Sequence, residues 1–496
     1  MALASLAANW SPPPFRPVLF LIGGMLVPLA AMMLAPAAAD ALVGNRDWQA
    51  FVTASAVTGL CGGGVLYLCR GGMTDALSIR QAFLLTPLAW LSVAFFGSLP
   101  LYFSNYGPLA DSFTNAFFES MSGLTTTGST VVVGLDRAPP GVLLWRALLQ
   151  WMGGIGIIAT AIAILPALGV GGMQLFRTES SDRSEKVMPR VQQIAVALAA
   201  VYLGLTVLCG LLYWAAGMTP FDAAAHSFTT IATGGYSTSD ASLANWDSPA
   251  IHWIATFFMI SGAIPFVLYV QLVRGQGDLF RNSQVRTFIG FLAVVVAALT
   301  IWLVASGRYG VADAARHAAF NVVSIVTTTG YATTDYSLWG NAAVGLFFGL
   351  TFIGGCNGST AGGMKIFRLQ IMAIMLRTHF LQLIYSRGVF TRTYAGRLLT
   401  DDIVTSVVVF FSLFFSLYGV LTIALMAFDL DFLTSASAAV TSLANVGPGL
   451  GPIIGPASNF SALPDGAKWL LSFGMLVGRL ELFTVLILFM PHFWRG

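Results

Sequence analysis

Charge is what this sequence has least of. Its 496 residues include 24 lysines and arginines and 21 aspartates and glutamates, 9% charged in all, where soluble domains carry about 25%. That shortage excludes an ordinary soluble domain and points to an integral membrane protein. The net charge of +3 is too small to support a nucleic-acid partner. Cysteine is scarce as well: Cys61, Cys69, Cys209 and Cys356 show neither metal-ligand nor disulfide-framework spacing. The histidines His226, His252, His317, His379 and His492 have no metal spacing either, so nothing here reads as an enzyme. The N-terminus lacks a cluster of positive residues, and its first apolar span is long enough to stay as an anchor. No cleaved signal peptide is therefore expected.

Apolar sequence is abundant, at 56% of the chain. A bilayer-spanning helix needs about 20 mostly apolar residues. Val18–Ala35 and Phe51–Leu68 are two such spans and read as an N-terminal addition over residues 1–80. Four similar units follow, at 81–190, 191–285, 286–400 and 401–496. The first has a span at Phe83–Phe103, a shorter stretch at Asp111–Gly128 and a span at Gly141–Val170. The second has Ile194–Ala216, Asp222–Gly234 and Ile251–Val273. The third has Thr287–Val304, Asp313–Gly330 and an interrupted Ala342–Leu376; the fourth has Ile403–Phe428, Asp431–Gly447 and Trp469–Met490. The middle stretches are too short to cross a membrane and too apolar for solvated loops. A short helix that enters, turns and returns extended fits them best. Such backbone is tolerated at membrane depth only where it lines a cavity or is buried in protein.

Each middle stretch ends in a related tetrad: Thr126-Thr127-Gly128-Ser129, Ala232-Thr233-Gly234-Gly235, Thr328-Thr329-Gly330-Tyr331 and Asn445-Val446-Gly447-Pro448. Glycine adopts dihedrals that can turn backbone carbonyls toward an axis. Four such segments around one axis would form a ring of carbonyl oxygens able to replace the hydration shell of a potassium ion. The expected ligands are the carbonyls of Thr126, Thr127, Gly128, Ala232, Thr233, Gly234, Thr328, Thr329, Gly330, Asn445, Val446 and Gly447. Units two and three also continue alike, Gly235–Asp240 beside Gly330–Asp335. Asp111, Asp222, Asp313 and Asp431 stand near the starts of the short helices, where an acid complements a helix N-terminus, and read as caps. Asp136, Asp240 and Asp335 follow their tetrads, either as mouth acids that concentrate cations or as plain solvated loop acids. His226 and His317 are expected to pack or hydrogen-bond within the short helices.

Basic residues set the topology. One side carries Arg177, Arg183, Lys186 and Arg190, then Arg274, Arg281 and Arg286, then Arg368, Arg377, Arg387, Arg392 and Arg397, and Arg495. The tetrad side carries Arg46, Arg137, Arg146, Arg308, Arg316 and Lys468. Positive residues favour the cytoplasm, so both termini are expected there, with ten spanning helices and the tetrads opening outward.

On these residues, and on Asn445-Val446-Gly447-Pro448-Gly449-Leu450-Gly451, the chain resembles the TrkH/TrkG/KtrB superfamily of potassium transporters, most closely its TrkH branch. The resemblance covers essentially the whole chain. It implies an all-α polytopic membrane protein with four covalently linked helix–pore loop–helix repeats around one central pore, plus two N-terminal transmembrane helices. It implies potassium uptake across the bacterial cytoplasmic (inner) membrane, in contact with membrane lipid. It also implies a homodimer with one pore per subunit and a cytosolic nucleotide-binding regulatory subunit of the TrkA type. The fourth tetrad departs from threonine chemistry, so potassium preference with some sodium leak is expected. The alternative function class is an ion-coupled secondary transporter. Those fold around inverted repeats, whereas the units here share one topology.

Two further segments carry the resemblance. Gly354-Gly355-Cys356-Asn357-Gly358-Ser359-Thr360-Ala361-Gly362-Gly363-Met364-Lys365 interrupts a span. Its glycines each cost a helix about 1 kcal/mol against alanine, so it reads either as an intramembrane loop beneath the tetrads, as in the family's gate, or as a cytoplasmic loop between two shorter helices. It is not a phosphate-binding loop, which needs Gly-Lys-Ser/Thr. Gly478-Arg479-Leu480-Glu481-Leu482 puts charge inside the last span, where it is costly and usually faces a cavity or a partner. The resemblance places Arg479 in the pore near the gate loop; the structural alternative pairs the charges with neighbouring helices.

Overall fold

The computed structural model describes residues 15–70, 77–163, 187–275 and 277–495. Arg177, Arg183 and Lys186, and the first unit's second span beyond residue 163, lie outside the described residues. The chain is an all-α polytopic membrane protein. Its long apolar stretches form helices because helical backbone satisfies its own polar groups in lipid. An N-terminal pair comes first: α1 (Phe15–Met32) running into α2 (Leu34–Leu42), then α3 (Trp48–Cys69). The first unit has α4 (Ile79–Phe103), a short α5 (Phe113–Leu124) and α6 (Pro140–Ala163). The second has α7 (Val187–Ala215), a short α8 (Pro220–Ile231) and the pair α9 (Pro249–Gly262) and α10 (Phe266–Val273). The third has α11 (Ser283–Ala305), α12 (Val311–Val326) and the pair α13 (Asn341–Leu350) and α14 (Ile366–Ile384). A small hairpin, β1 (Thr393–Tyr394) with β2 (Arg397–Leu398), leads to the fourth. That unit has α15 (Asp401–Met426), α16 (Phe432–Ala444) and the pair α17 (Asp465–Arg479) and α18 (Leu482–Leu486), and α19 (Pro491–Arg495) ends the description.

Among the described residues, seven helices are long and apolar enough to cross a membrane, and the bent pairs α9–α10 and α17–α18 add two. α13 and α14 flank the glycine loop, at the span read as interrupted. Burial sorts inner from outer helices: 72% of the apolar window of α6 is buried, against 22% in the windows of α7 and α11. The short helices α5, α8, α12 and α16 have 12 to 16 residues. They are roughly 18–24 Å long, short of the ~30 Å hydrocarbon layer.

Among the described residues, the closing helix is broken in three of the four units. α9 and α10 meet at 94° across Pro265, which has no N–H to continue a helix. Trp469–Met490, expected as one span, is broken: α17 and α18 meet at 115°, with Glu481 at φ 62°. The turn carries Glu481 onto Arg368, 2.6 Å away.

Local chemistry corrects several other expectations. Of the four aspartates read as caps, only Asp431 caps by accepting a first-turn N–H, that of Thr434. Ser112 and Thr219 cap α5 and α8, while Asp222 and Asp313 sit inside first turns. Arg146, Lys468 and Arg368 are not loop residues: all three are buried on helices.

A buried polar contact fastens the N-terminal pair to the first unit. Asp40, fully buried on α2, accepts the backbone N–H of Gly141 at the start of α6, at 2.7 Å. A carboxylate there meets the positive end of the helix dipole. A Cβ on Gly141 would lie 2.2 Å from Asp40 Oδ2. Asp40→Ala is expected to cost about 1.5–3 kcal/mol, the range for a hydrogen bond to a charged group. Gly141→Ala should destabilise the same joint. Thermal unfolding of detergent-purified variants checks both.

Candidate functional site

The short helices end alike. Thr126, Thr233, Thr328 and Asn445 each sit in the left-handed region, with φ between 50° and 57°. The next residue's N–H then reaches back to the carbonyl five residues earlier: Thr127 to Ser122, Gly234 to Thr229, Thr329 to Ser324 and Val446 to Thr441, at 2.8–3.0 Å. This is the six-to-one bond of a Schellman turn, which usually carries glycine or asparagine in the left-handed position. Threonine there is β-branched and strained. Two residues on, Gly128, Gly235, Gly330 and Gly447 again have positive φ.

This pattern corrects the register of the second tetrad. The backbone equivalent of Thr126-Thr127-Gly128-Ser129 is Thr233-Gly234-Gly235-Tyr236. Ala232 belongs to the end of α8, with φ −71° and ψ −10°. The continuation Gly235–Asp240 beside Gly330–Asp335 is the alignment the backbone adopts. Two adjacent glycines made the slip possible, because the sequence does not say which of them takes the positive φ.

The four segments close into a ring. A Cβ on Gly128 would lie 2.2 Å from the carbonyl oxygen of Gly234, one on Gly235 1.9 Å from that of Thr329, one on Gly330 2.1 Å from that of Val446, and one on Gly447 2.8 Å from that of Thr127. Unit one thus abuts unit two, two abuts three, three abuts four, and four abuts one. The residue after each of the first three glycines ties to the preceding unit. The Ser129 hydroxyl donates to the Gly447 carbonyl at 2.7 Å, and the Tyr236 hydroxyl to the Glu119 carbonyl at 2.8 Å. The Tyr331 hydroxyl shares hydrogen bonds with Thr229 and Thr230. Asn445 Nδ2 donates to Thr127 Oγ1 at 3.0 Å.

Side chains that the sequence reading missed brace the ring. Glu119 on α5 and Arg146 on α6 form a fully buried ion pair, Nε to Oε1 2.7 Å. Glu119 also accepts from Thr130 Oγ1 and the Val131 N–H, while Arg146 donates to the Ser237 carbonyl and lies 4.1 Å over the Tyr236 ring. Gln150 on α6 holds the second segment, donating to the Gly234 carbonyl and accepting the Tyr236 N–H. The only sequence signal was charge or amide within an apolar stretch. His226 bonds the Asp222 carbonyl and Ser237, and His317 bonds Thr333, so both hold local structure. Asp240 accepts the N–H groups of Gly134 and Leu135 and so ties the loop of unit one to that of unit two, while Asp335 accepts that of Ser337 and caps the turn after its own segment.

The loop 354–365 lies against this ring. Its neck is zipped by Gly354 N–H to the Met364 carbonyl and Met364 N–H to the Phe352 carbonyl. Cys356 and Thr360 donate their N–H groups to the Ala263 and Gly262 carbonyls, which the break after α9 leaves free, and the Gly358 carbonyl accepts from Phe266. The Gly362 N–H donates to Thr328 Oγ1 at 2.7 Å, and Thr233 Oγ1 donates to Thr360 Oγ1 at 3.1 Å. The loop therefore bonds the left-handed threonines of units two and three. Asn357 accepts nothing on Oδ1, while its backbone N–H donates to Gln284 Oε1 at 3.0 Å. Ser359 donates to the Cys356 carbonyl, Lys365 bonds the Ala361 carbonyl, and Gly355 and Gly363 pack without room for a side chain. Arg479, 3% exposed, donates from Nη1 to the Thr360 carbonyl at 2.8 Å. Its Nε and Nη2 are buried without a partner. Glu481 does not neutralise it, being paired with Arg368. Lys365, Arg368, Arg479 and Glu481 line one cavity with the loop.

The Glu119–Arg146 pair yields a direct test. Removing one partner of a buried pair strands the other charge, at about 3–5 kcal/mol. Glu119→Ala should therefore lose most folded protein, and Glu119→Ala/Arg146→Ala should lose less than the sum of the single changes. Yield of monodisperse protein and its unfolding temperature give the coupling.

Known proteins carry the same architecture. The family model for TrkH, described as a cation transport protein, matches residues 47–495. The chain is 47% identical over 483 residues to the Trk system potassium uptake protein TrkI of Halomonas elongata, covering 97% of each. It is 38% identical over 491 residues to the Trk system potassium uptake protein TrkH of Escherichia coli K12, covering 97% of this chain and 99% of that one. The crystal structure of the potassium transporter TrkH from Vibrio parahaemolyticus superposes with a TM-score of 0.89 at 38% identity, over 97% of this chain and 100% of that one. By sequence and by fold, the chain belongs to the TrkH family of cation transport proteins.

Proposed function

We propose that the chain takes up potassium through the ring of four glycine segments, as a channel-like path gated by the loop 354–365. Family membership makes it a transport protein, not an enzyme. The observation that carries the reading is the head-to-tail ring, in which each unit's glycine lies against its neighbour's carbonyl. The ligands are backbone carbonyls of Thr126, Thr127, Gly128, Thr233, Gly234, Gly235, Thr328, Thr329, Gly330, Asn445, Val446 and Gly447, with Ala232 outside the ring. Thr126 Oγ1 and Asn445 Oδ1 are buried without partners beside it and offer further oxygens. The four short helices end at the ring, and their C-termini carry partial negative charge, which favours a cation.

The gate combines sterics with charge. The loop bonds the threonines of two segments, and Arg479 holds it through Thr360. Two unit charges 4 Å apart interact by about 4 kcal/mol at an effective dielectric of 20, so a cation leaving the ring meets a barrier there. The closing helices of units two to four are broken around this loop. Four units bounded at residues 81–190, 191–285, 286–400 and 401–496, following an addition at 1–80, fit this reading. So do both termini in the cytoplasm of a bacterial inner membrane, a homodimer, and a cytosolic regulatory subunit of the TrkA type. Relatives named as Trk system potassium uptake proteins support the substrate.

Two expected outcomes follow. Gly330→Ser puts a Cβ at φ +85° and 2.1 Å from the Val446 carbonyl. Strain of this kind costs about 1–3 kcal/mol, so potassium uptake or the potassium/sodium ratio should fall about tenfold or more. Gly345→Ser, where a Cβ meets nothing within 4 Å, is the control. Growth of a potassium-uptake-deficient host on low potassium, with uptake of both ions, decides; parental behaviour of Gly330→Ser sinks the ring as the path. Arg479→Ala should raise potassium flux per folded molecule in proteoliposomes about tenfold, the effect of about 1.4 kcal/mol. Arg479→Lys keeps the charge but loses the planar fork and should give part of that gain. If Arg479→Ala merely lowers yield, with no gain in flux per molecule, the arginine is structural.

A further inference from the structure

The ring is fourfold in backbone but not in what surrounds it, and the exception is the second segment. Its middle residue is Gly234, where the other units carry the β-branched Thr127, Thr329 and Val446. In units one and three that threonine bonds a neighbour from the helix end, Thr127 to Thr125 and Thr329 to Thr327, each at 2.8 Å. Units two and four lack both hydroxyls, with Ala232 and Gly234 in one and Ala444 and Val446 in the other, but only unit two also lacks a side chain at the middle position.

The slot is filled from elsewhere. A Cβ on Gly234 would lie 2.3, 2.4 and 2.8 Å from Cδ, Oε1 and Nε2 of Gln150. The amide therefore stands where the missing side chain would. From there it donates to the Gly234 carbonyl at 2.6 Å and accepts the Tyr236 N–H at 3.0 Å, bracketing Gly235. Gln150 is fully buried.

No other unit supplies such a group. Pro140, Pro249, Asn341 and Asp465 open the four closing helices, and Gly153, Gly262, Gly354 and Gly478 stand at one offset from them. A Cβ on Gly153, Gly262 or Gly478 would press on the last turn of its own unit's short helix, at Leu124, Ile231 or Leu443. By the same count Gln150 is equivalent to Met259, Thr351 and Met475. Methionine has no donor, and the Thr351 hydroxyl is spent on the Phe347 carbonyl.

We propose that Gln150 is a positioning residue that sets potassium over sodium discrimination, by acting as the side chain the second segment lacks. The inference rests on the ring being the ion path. Gly234 and Gly235 together are the least restrained backbone in the ring. Without the amide, the Gly234 carbonyl can swing inward, and it loses a donor that draws on its electron density. A closer and stronger carbonyl favours the smaller cation, so selectivity by cavity size and selectivity by field strength predict the same direction.

The test uses purified full-length protein in proteoliposomes, with potassium and sodium uptake normalised to folded protein. Gln150→Met, which installs the residue of units two and four, should lower the potassium/sodium ratio about three- to tenfold, the range of one ordinary hydrogen bond. Gly234→Thr alone should be damaged, because its side chain collides with the amide. Gln150→Ala/Gly234→Thr restores the arrangement of units one and three, and should recover the ratio to within about twofold of the parent. An unchanged ratio in Gln150→Met overturns the proposal, as does a double variant no better than Gly234→Thr. If Gly330→Ser also behaves as parent, the ring itself is not the path; if Gly330→Ser is impaired while Gln150→Met is silent, only the role of Gln150 falls.

Discussion

One steric contact organises the molecule: a neighbour's carbonyl pressed against an α-carbon that has no side chain. It occurs four times, at Gly128, Gly235, Gly330 and Gly447, and each instance joins one unit to the next. A methyl group at any of these positions would force the units apart. Backbone at membrane depth cannot borrow hydrogen bonds from water, so the extended segments survive only because the units close on one another. The left-handed threonines are the conformational cost of turning the chain sharply enough at the end of each short helix to reach that contact.

Behind the ring, buried polar groups do what water would do elsewhere. Glu119 and Arg146 satisfy each other and three further groups on two units. The broken closing helices leave carbonyls open, and the glycine loop fills them with its own N–H groups. The loop is thus both a repair to α9 and a bridge between the second and third segments of the ring. Arg479 joins the two roles, bonding the loop with one nitrogen and leaving two buried without partners.

Much of this was legible in the sequence, for physical reasons. Apolar length gave the spans, and the repeated glycines gave the ring, because a position that excludes Cβ leaves glycine as its signature. The glycine loop declared itself by composition. The misreadings have causes too. Gly234-Gly235 hid the register of the second segment, since either glycine could take the positive φ. Leu480 and Leu482 kept the last span apolar through the turn at Glu481. Arg146 and Arg368 read as topological charges because a lone arginine in sequence looks the same whether it meets solvent or a buried carboxylate. Gln150 showed only as an amide within an apolar stretch, and its role stayed hidden because its partners are backbone groups on another unit. The aspartates near the starts of the short helices marked the helices correctly, but only Asp431 is a cap; Ser112 and Thr219 take that task in units one and two.

The ring is written on one polypeptide, and this changes how it can vary. In a pore assembled from four identical chains, every substitution appears four times around the axis, so any intolerable change is intolerable fourfold. Here each quarter mutates alone, while three unchanged quarters hold the shape. Asn445 in place of threonine, Val446 in place of threonine and the glycine pair of the second segment are departures of this kind, each confined to one sector. With the ring as the proposed ion path, such a pore can drift in single small steps, and its discrimination between ions becomes a graded trait that each sector adjusts separately.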